Sequence, residues 1–311
     1  MKVNGFKIAP NADLYRVDLK GANLFRSDLR GADLGEAKLD SADIRASHLA
    51  GANFAGASLK KAELQGSDFE NAILIGADLT EANLFGAKLG SANLFRADMT
   101  ATCLARADLR GSDLRDSKLN NADLRNANLE NSDLSSSDVR GAHFHEAVLA
   151  RAKFFRANLA GARLNRTDLR SVFFSEAKLD GVDFSNSNLC GVDLSGAILW
   201  RAMFSGTEMK EVNLSSCVLS DVSLQGIDLS GADLSSAQLD GTDLSGSNLT
   251  SVNFCNSRMT KSKLMSANLS DANLDRADLS HSDLRNANLS GVDLSNVYLH
   301  GATMPDGSIH D

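Results

Sequence analysis

The chain has 311 residues, of which 43% are hydrophobic, 23% charged and 5% aromatic, and its formal net charge is −8. Apolar runs reach only three or four residues, which excludes a transmembrane helix, and the acidic balance argues against direct binding of nucleic acid. The four cysteines lack C-x-x-C or Cys/His ligand spacing, so neither a disulfide framework nor a zinc site is predicted.

Residues 1–11 precede the repeating part of the chain and are predicted to form an N-terminal cap. Phe6 and Ile8 are the apolar side chains expected to cover its first turn. The segment lacks the apolar stretch of a secretory signal, so a cytoplasmic location is expected.

Residues 12–304 repeat with a period of five. From Leu14 to Met304, every residue whose number ends in 4 or 9 is Leu, Phe, Ile, Met or Val, which gives 59 consecutive positions. We call these the central residues. A small or β-branched residue lies two before each of them, and 20 of the 24 glycines lie two after. No insertion or linker interrupts the array, so residues 12–304 are predicted to form a single domain.

This period fits neither regular helix nor regular strand. On an α-helix the central residues would be distributed around all sides, and on a straight strand they would alternate between two faces. If the chain instead turns after each short extended unit, all central residues can point inward. The glycines and polar residues that follow them are typical of turns. A chain that turns repeatedly in one sense forms a solenoid.

The order of residues within each unit strongly resembles the A-(D/N)-L-x-x motif of the pentapeptide-repeat family. Examples are Ala22-Asn23-Leu24, Ala32-Asp33-Leu34, Ala77-Asp78-Leu79 and Ala272-Asn273-Leu274. The resemblance covers residues 12–304 and implies an all-β fold, a right-handed quadrilateral parallel β-helix with 20 residues per coil and about 14 to 15 coils. Val172, Val192 and Val212 recur at this spacing, which agrees with a 20-residue coil.

Residues 305–311 form a tail that is too short for a capping helix. Since the last coil of a solenoid exposes unpaired backbone groups, the C-terminal coil is predicted to be an association surface, for example for an end-to-end dimer. The ending Gly301–Gly307 also resembles those of bacterial members of the family.

The sequence predicts no enzymatic activity, cofactor or metal site. Outward-facing Asp residues recur without a distinguished pair, and no serine has a His and an acid in a recognisable arrangement. His281 and His300 should be neighbours on successive coils but lack a third ligand. Cys217 falls at an interior position and is expected to be an inert thiol.

Some positions that the repeat predicts to face solvent carry apolar residues instead of polar ones. Clusters of such residues often mark protein contacts, although drift within a permissive repeat would also produce them. The candidate contact residues are Ile73, Ile75, Phe95, Phe155, Phe173, Ile198, Trp200 and Val218. The first three fall on one side in neighbouring coils, the next two on that side further along, and the last three on the adjacent side.

The charge is concentrated in the C-terminal half. Residues 179–257 contain ten acidic residues against Arg201 and Lys210, which indicates either a solubilising surface or an acidic binding surface. The candidate acidic surface consists of Asp228, Asp233, Asp240 and Asp243.

Two functions follow from these features. The main interpretation is a rigid, non-enzymatic scaffold for protein–protein interaction with an unknown partner. The alternative comes from the family resemblance, because some members bind DNA gyrase by presenting acidic surfaces in place of DNA. This chain lacks the C-terminal dimerisation helix and the projecting loops of those members.

Overall fold

A computed structural model describes residues 2–311. Its contacts divide the chain into two compact units, Met1–Arg163 and Leu164–Asp311, and each is described by itself. No helix among the described residues is long and apolar enough to cross a membrane.

The first unit begins with a short hairpin. Strand β1 (Lys2–Val3) pairs antiparallel with strand β2 (Phe6–Lys7). Asn4 and Gly5 connect them with φ angles of 50° and 84°, the left-handed pair that a tight hairpin turn requires. Of the two residues expected to cover the first coil, Ile8 is buried, whereas Phe6 in strand β2 is 38% exposed.

Beyond β1 and β2, backbone pairing in residues 2–311 consists of isolated bridges, nearly all of them parallel and between residues 20 apart. Asp13 pairs with Asp33 in the first unit, and Asp233 pairs with Asn253 in the second. Residues 20 apart therefore lie one above another, and we call such a series a column. Each coil contributes four bridge positions, one for each pentapeptide, and successive pentapeptides lie on successive sides of the coil.

The bridges belong to a regular hydrogen-bond ladder. Leu109 donates its backbone N–H to the carbonyl oxygen of Asn128 at 2.7 Å, and Asn128 donates to that of Ala107 at 2.9 Å. Each bridge residue thus bonds, through its N–H and its C=O, the two residues that flank its partner in the preceding coil, as in a parallel sheet. Proline would remove a donor from this ladder, which explains why Pro10 and Pro305 lie near the ends of the chain.

The interior of each unit is filled by the central residues and the small residues two before them. Leu109 and Leu124 are completely buried, as are most central residues. In the second unit the rings of Phe184 and Phe204 stack with centroids 5.5 Å apart. Burial of each such side chain stabilises the fold by about 1.5–3 kcal/mol before entropy losses.

Some interior hydroxyl groups bond to carbonyl oxygens of the coil below, and others, such as that of Ser112, bond to a carbonyl of their own coil. Ser47 Oγ donates to the Leu24 carbonyl at 2.8 Å, and Thr242 Oγ1 donates to the Leu219 carbonyl at 2.8 Å. Cys217 Sγ donates in the same way to a carbonyl at 2.9 Å. The buried thiol therefore takes a position that Ser and Thr occupy elsewhere, and its polar atom is satisfied.

The turn position two after a central residue has a left-handed backbone at nearly every repeat, even where the residue is not glycine; Asn296 and Asp306 differ. Arg201 has a φ of 56° there. A specific need for glycine arises at Gly141, where a Cβ would lie 2.5 Å from Asn121 Oδ1 in the coil below. Glycine at that position therefore leaves room for the side chain one coil below.

In the second unit the ladder opens between residues 201–209 and 220–228. No bridge among the described residues joins Met203 to Ser223, and the amides of Phe204 and Gly206 bond to no carbonyl of the next coil. A cleft of about 350 Å³ lies there. On its interior side, Ile227 occupies a position that Ala, Ser or Thr holds in most coils. A larger side chain at a packed position shifts the backbone around it, which is our explanation for the missing bonds. We call this region the open ladder.

The C-terminal coil was expected to expose unpaired backbone groups, but the tail covers part of it. Ile309 pairs antiparallel with Thr303, and His310 donates its N–H to the Ala302 carbonyl at 2.8 Å. The last side of the final coil is thus covered by the tail. The preceding sides remain partly uncovered, since Leu289 and Leu294 are only half-buried.

Candidate protein-contact surface

Five aromatic side chains, Tyr15, Phe25, Phe95, Phe155 and Trp200, share one local arrangement. An aromatic residue directly after a central residue is followed by an arginine, whose left-handed backbone brings the guanidinium over the ring. The guanidinium carbon lies 4.8 Å from the ring centroid for Phe95 and Arg96, and 3.9 Å for Trp200 and Arg201. Such cation–π contacts hold the ring and the charge in a defined position on the surface.

The first candidate group forms a compact spot in the first unit. Ile73 and Ile75 are 40% and 39% exposed, and Ile73 is bridged to Asn93, two residues before Phe95. Gly76 donates its N–H to the Phe95 carbonyl at 2.9 Å, which places Ile75 next to Phe95. The ring of Phe95 is half-buried beneath Arg96.

Phe155 and Phe173 are the next two candidates, and they belong to different units. Phe155 shares the column of Phe95, but Arg115 and Ser135 lie between them. Phe173 belongs to the second unit, where it is 46% exposed and bridged to Asp193. The two residues are exposed, as the repeat register predicts, and within the first unit Phe155 lies apart from Ile73, Ile75 and Phe95.

The remaining candidates form the Trp200 spot, which consists of Ile198, Trp200 and Val218 in the second unit. Ile198 is bridged directly to Val218, and Leu199 donates its N–H to the Val218 carbonyl at 2.9 Å. Ile198 is 36% and Trp200 43% exposed, while Val218 is half-buried. The register therefore places these three side chains together.

The four candidate acidic residues do not form one continuous face. Asp228, Asp233 and Asp243 belong to three different columns of bridges, and Asp240 lies beside the fourth. Since the columns lie on successive sides of the coil, the four carboxylates point in different directions.

Nearby cations neutralise part of this charge. Lys210 pairs with Asp228 at 3.2 Å, and Lys263 pairs with Asp243 at 3.7 Å. Burial alone would raise the pKa of Asp228, but hydrogen bonds from Ser230 and the ammonium of Lys210 hold it below its usual value. The second unit nevertheless carries 10 Lys and Arg against 19 Asp and Glu, whereas the first carries 22 against 21.

Within residues 2–311 no group of three or more His, Cys, Asp and Glu side chains is arranged to hold a metal ion. The rings of His281 and His300 meet edge to face with centroids 5.5 Å apart, so the predicted proximity of this pair is correct. Burial raises the pKa of the Cys217 thiol to about 12, which makes its thiolate inaccessible at neutral pH.

Sequence reasoning missed the arginines that cover the aromatic rings, and it also missed Phe25 and Phe85 as exposed side chains. Phe25 and Phe85 are each 43% exposed. The signal was an aromatic residue directly after a central residue, with Arg one residue later or one coil above. Arg106, for example, lies one coil above Gly86 and reaches the Phe85 ring at 5.7 Å.

The sequence matches a family model described as pentapeptide repeats in eight copies. These copies span residues 11–40, 37–76, 62–100, 147–186, 183–221, 213–250, 232–271 and 267–304. A second family model, described as a pentapeptide repeat region, matches residues 87–164. Among curated proteins, none matches the chain significantly.

Several solved structures are similar to the chain. HetL, a pentapeptide repeat protein involved in heterocyst differentiation regulation from the cyanobacterium Nostoc, is 32% identical over 80% of this chain and 91% of its own, with a TM-score of 0.34. A pentapeptide repeat protein of the Arabidopsis thaliana thylakoid lumen is 25% identical over 40% of this chain and 72% of its own, with a TM-score of 0.30. QnrB1, a plasmid-mediated fluoroquinolone resistance protein, is 20% identical over 71% of this chain and 88% of its own, with a TM-score of 0.31.

Proposed function

Because the chain belongs to the pentapeptide-repeat family, we propose that it is a non-enzymatic, cytoplasmic scaffold that binds a partner protein. In this proposal each unit winds as a right-handed quadrilateral parallel β-helix, and the Trp200 spot is the main contact. The single observation that carries the proposal is the bridge between Ile198 and Val218, which groups these two residues of neighbouring coils with Trp200. The only tryptophan of the chain thus lies in an apolar spot and remains 43% exposed.

The rigidity of the spot favours binding. The N–H of Leu199 is bonded to the next coil, and Arg201 lies over the indole ring at 3.9 Å. A partner would therefore order few groups on this side of the interface, which reduces the entropy cost of association. Tryptophan and arginine side chains of this kind are enriched among residues that dominate binding energy.

The chemistry of the partner follows from Arg201. Among the described residues Arg201 takes part in no ion pair within 4.0 Å, although its guanidinium stacks on Trp200. An apolar side chain of the partner would pack on the exposed indole, and a neighbouring carboxylate would bond the guanidinium. We therefore expect a partner segment that carries an apolar residue next to Asp or Glu.

The test compares Trp200→Ala with Phe25→Ala. Both rings are 43% exposed and both lie beneath an arginine, so the two variants remove equivalent surface groups. In affinity capture from lysate of the host, the amount of specifically captured protein should fall at least tenfold with Trp200→Ala. With Phe25→Ala that amount should not change. Equal capture by the two variants, at unchanged melting temperatures, would refute the role of the Trp200 spot.

The second candidate function is binding of DNA gyrase by mimicry of DNA, and the acidity of the second unit favours it. That unit has nine more acidic than basic residues. A triple variant with Asp228→Lys, Asp233→Lys and Asp243→Lys should abolish inhibition of gyrase supercoiling, and inhibition should weaken as salt rises. Absence of inhibition by the unmodified protein at micromolar concentration in low salt would exclude this function.

We also propose that the C-terminal coil mediates an end-to-end dimer through its uncovered sides. Leu289 and Leu294 are only half-buried there, although their counterparts in most other coils are fully buried. Leu294→Lys should convert a dimer to a monomer in sedimentation velocity experiments. A monomer for the unmodified protein at high micromolar concentration would refute this contact.

A further inference from the structure

A cleft in the first unit brings cationic side chains next to an exposed ring. Its volume is about 370 Å³, and its lining residues are Phe85, Ala105, Arg106, Arg125, Asn126 and His145. Phe85, Ala105, Arg125 and His145 belong to one column. Ala105 is the small member of this column, so a depression forms between the larger side chains on either side.

The two arginines differ in how they are held. Arg125 donates through Nε and Nη2 to the carboxylate of Asp123 at 2.8 and 2.7 Å, which fixes its guanidinium and leaves Nη1 directed elsewhere. Arg106 takes part in no ion pair within 4.0 Å among the residues that the structure describes, and its guanidinium lies 5.7 Å from the Phe85 ring centroid. One fixed and one uncommitted guanidinium can together bind an oxyanion through several N–H groups.

Arginines outnumber carboxylates around the cleft, because Arg106, Arg125 and Arg163 lie near Asp123 and Glu146. The Asp123 carboxylate forms an ion pair with the Arg125 guanidinium, and Glu146 Oε1 lies 3.6 Å from His145 Nε2. In the adjacent column His143 is bridged to both Asp123 and Arg163. Burial lowers the pKa of His143, and the charges of Arg163 and Arg125 lower it further against the opposing effect of Asp123.

We propose that this cleft binds a planar ring that carries a phosphate monoester. The phosphate would lie between Arg106 and Arg125, and the ring would stack on Phe85, which is 43% exposed. A free nucleoside monophosphate and a phosphotyrosine side chain share this chemistry. The cleft lies wholly in the first unit, so this inference is independent of the Trp200 spot.

The experiment follows the imidazole signals of His143 and His145 by NMR while a ligand is added. The probes are adenosine monophosphate, a phosphotyrosine peptide, inorganic phosphate and adenosine. A ring that carries phosphate should give saturable shifts and raise the pKa of His143, because the bound anion offsets the arginine charges. The tighter of the first two probes identifies the source of the ligand.

Two variants sharpen the test. Arg106→Gln should weaken binding at least tenfold. Arg96→Gln removes an arginine that covers Phe95 at 4.8 Å outside the cleft, and it should bind as the unmodified protein does. The proposal is overturned if neither ring-bearing phosphate binds, if inorganic phosphate or adenosine alone binds as tightly, or if both variants retain full affinity.

Discussion

Replacement of Leu109 by Ala tests the inward register of the central residues. Leu109 is fully buried, and its backbone N–H is bonded to the Asn128 carbonyl at 2.7 Å. Because the ladder holds the coils at a fixed spacing, the surroundings can relax little into the space that is left. Loss of three buried carbon groups at about 0.8 kcal/mol each gives about 2.4 kcal/mol. With the added cost of the cavity, we expect a loss of about 3–4 kcal/mol.

The matched control is Arg110→Ala, one residue further along. Its guanidinium bonds the Asp108 carboxylate at 2.8 and 2.6 Å, but the side chain is 57% exposed. Exposed ion pairs contribute little, so the free energy of unfolding should hardly change. Urea unfolding followed by circular dichroism measures both variants. Similar losses for Leu109→Ala and Arg110→Ala would refute the assignment of interior and surface positions.

Three further results are expected. In hydrogen exchange, the amide of Phe204 at the open ladder should exchange faster than that of Leu214, which donates to the next coil at 2.7 Å, and equal protection would contradict the opening. Cys217 should resist thiol reagents at neutral pH while the half-buried Cys190 reacts, and equal rates would contradict the burial. The hydrogen bonds that Arg30 donates lower the pKa of Asp28 to about 2, so the Asp28 carboxyl signal should titrate about two pH units below an ordinary Asp in NMR; titration near pH 4 would contradict the ion pair.

The sequence predicts the interior of this protein well, because each five-residue unit repeats the same local choice. Cys217 shows this clearly, since its place in the register alone predicted a buried and inert thiol. The family prediction is confirmed by the match to the pentapeptide-repeat model over most of the chain. The contact between Ile198 and Val218 also follows from their 20-residue separation.

The features that the sequence did not predict depend on residues from several coils. The open ladder lies where Ile227 takes a position that Ala, Ser or Thr holds in most coils, and a β-branched residue there still obeys the repeat. Likewise, counting charge along residues 179–257 suggested an acidic surface, but a run of residues winds around all sides of the coil. Charge in a solenoid therefore has to be counted by column and not by stretch of sequence.

Every surface assignment made for this chain depends on residues 20 apart lying in one column. Scalar couplings across hydrogen bonds measure this directly by NMR, because they link an amide nitrogen to the carbonyl that accepts its proton. The coupling partner of the Leu199 amide should be the Val218 carbonyl, and that of the Leu109 amide should be the Asn128 carbonyl. For these two amides, a coupling partner at a separation other than 19 residues would contradict the 20-residue coil and all of the sites derived from it.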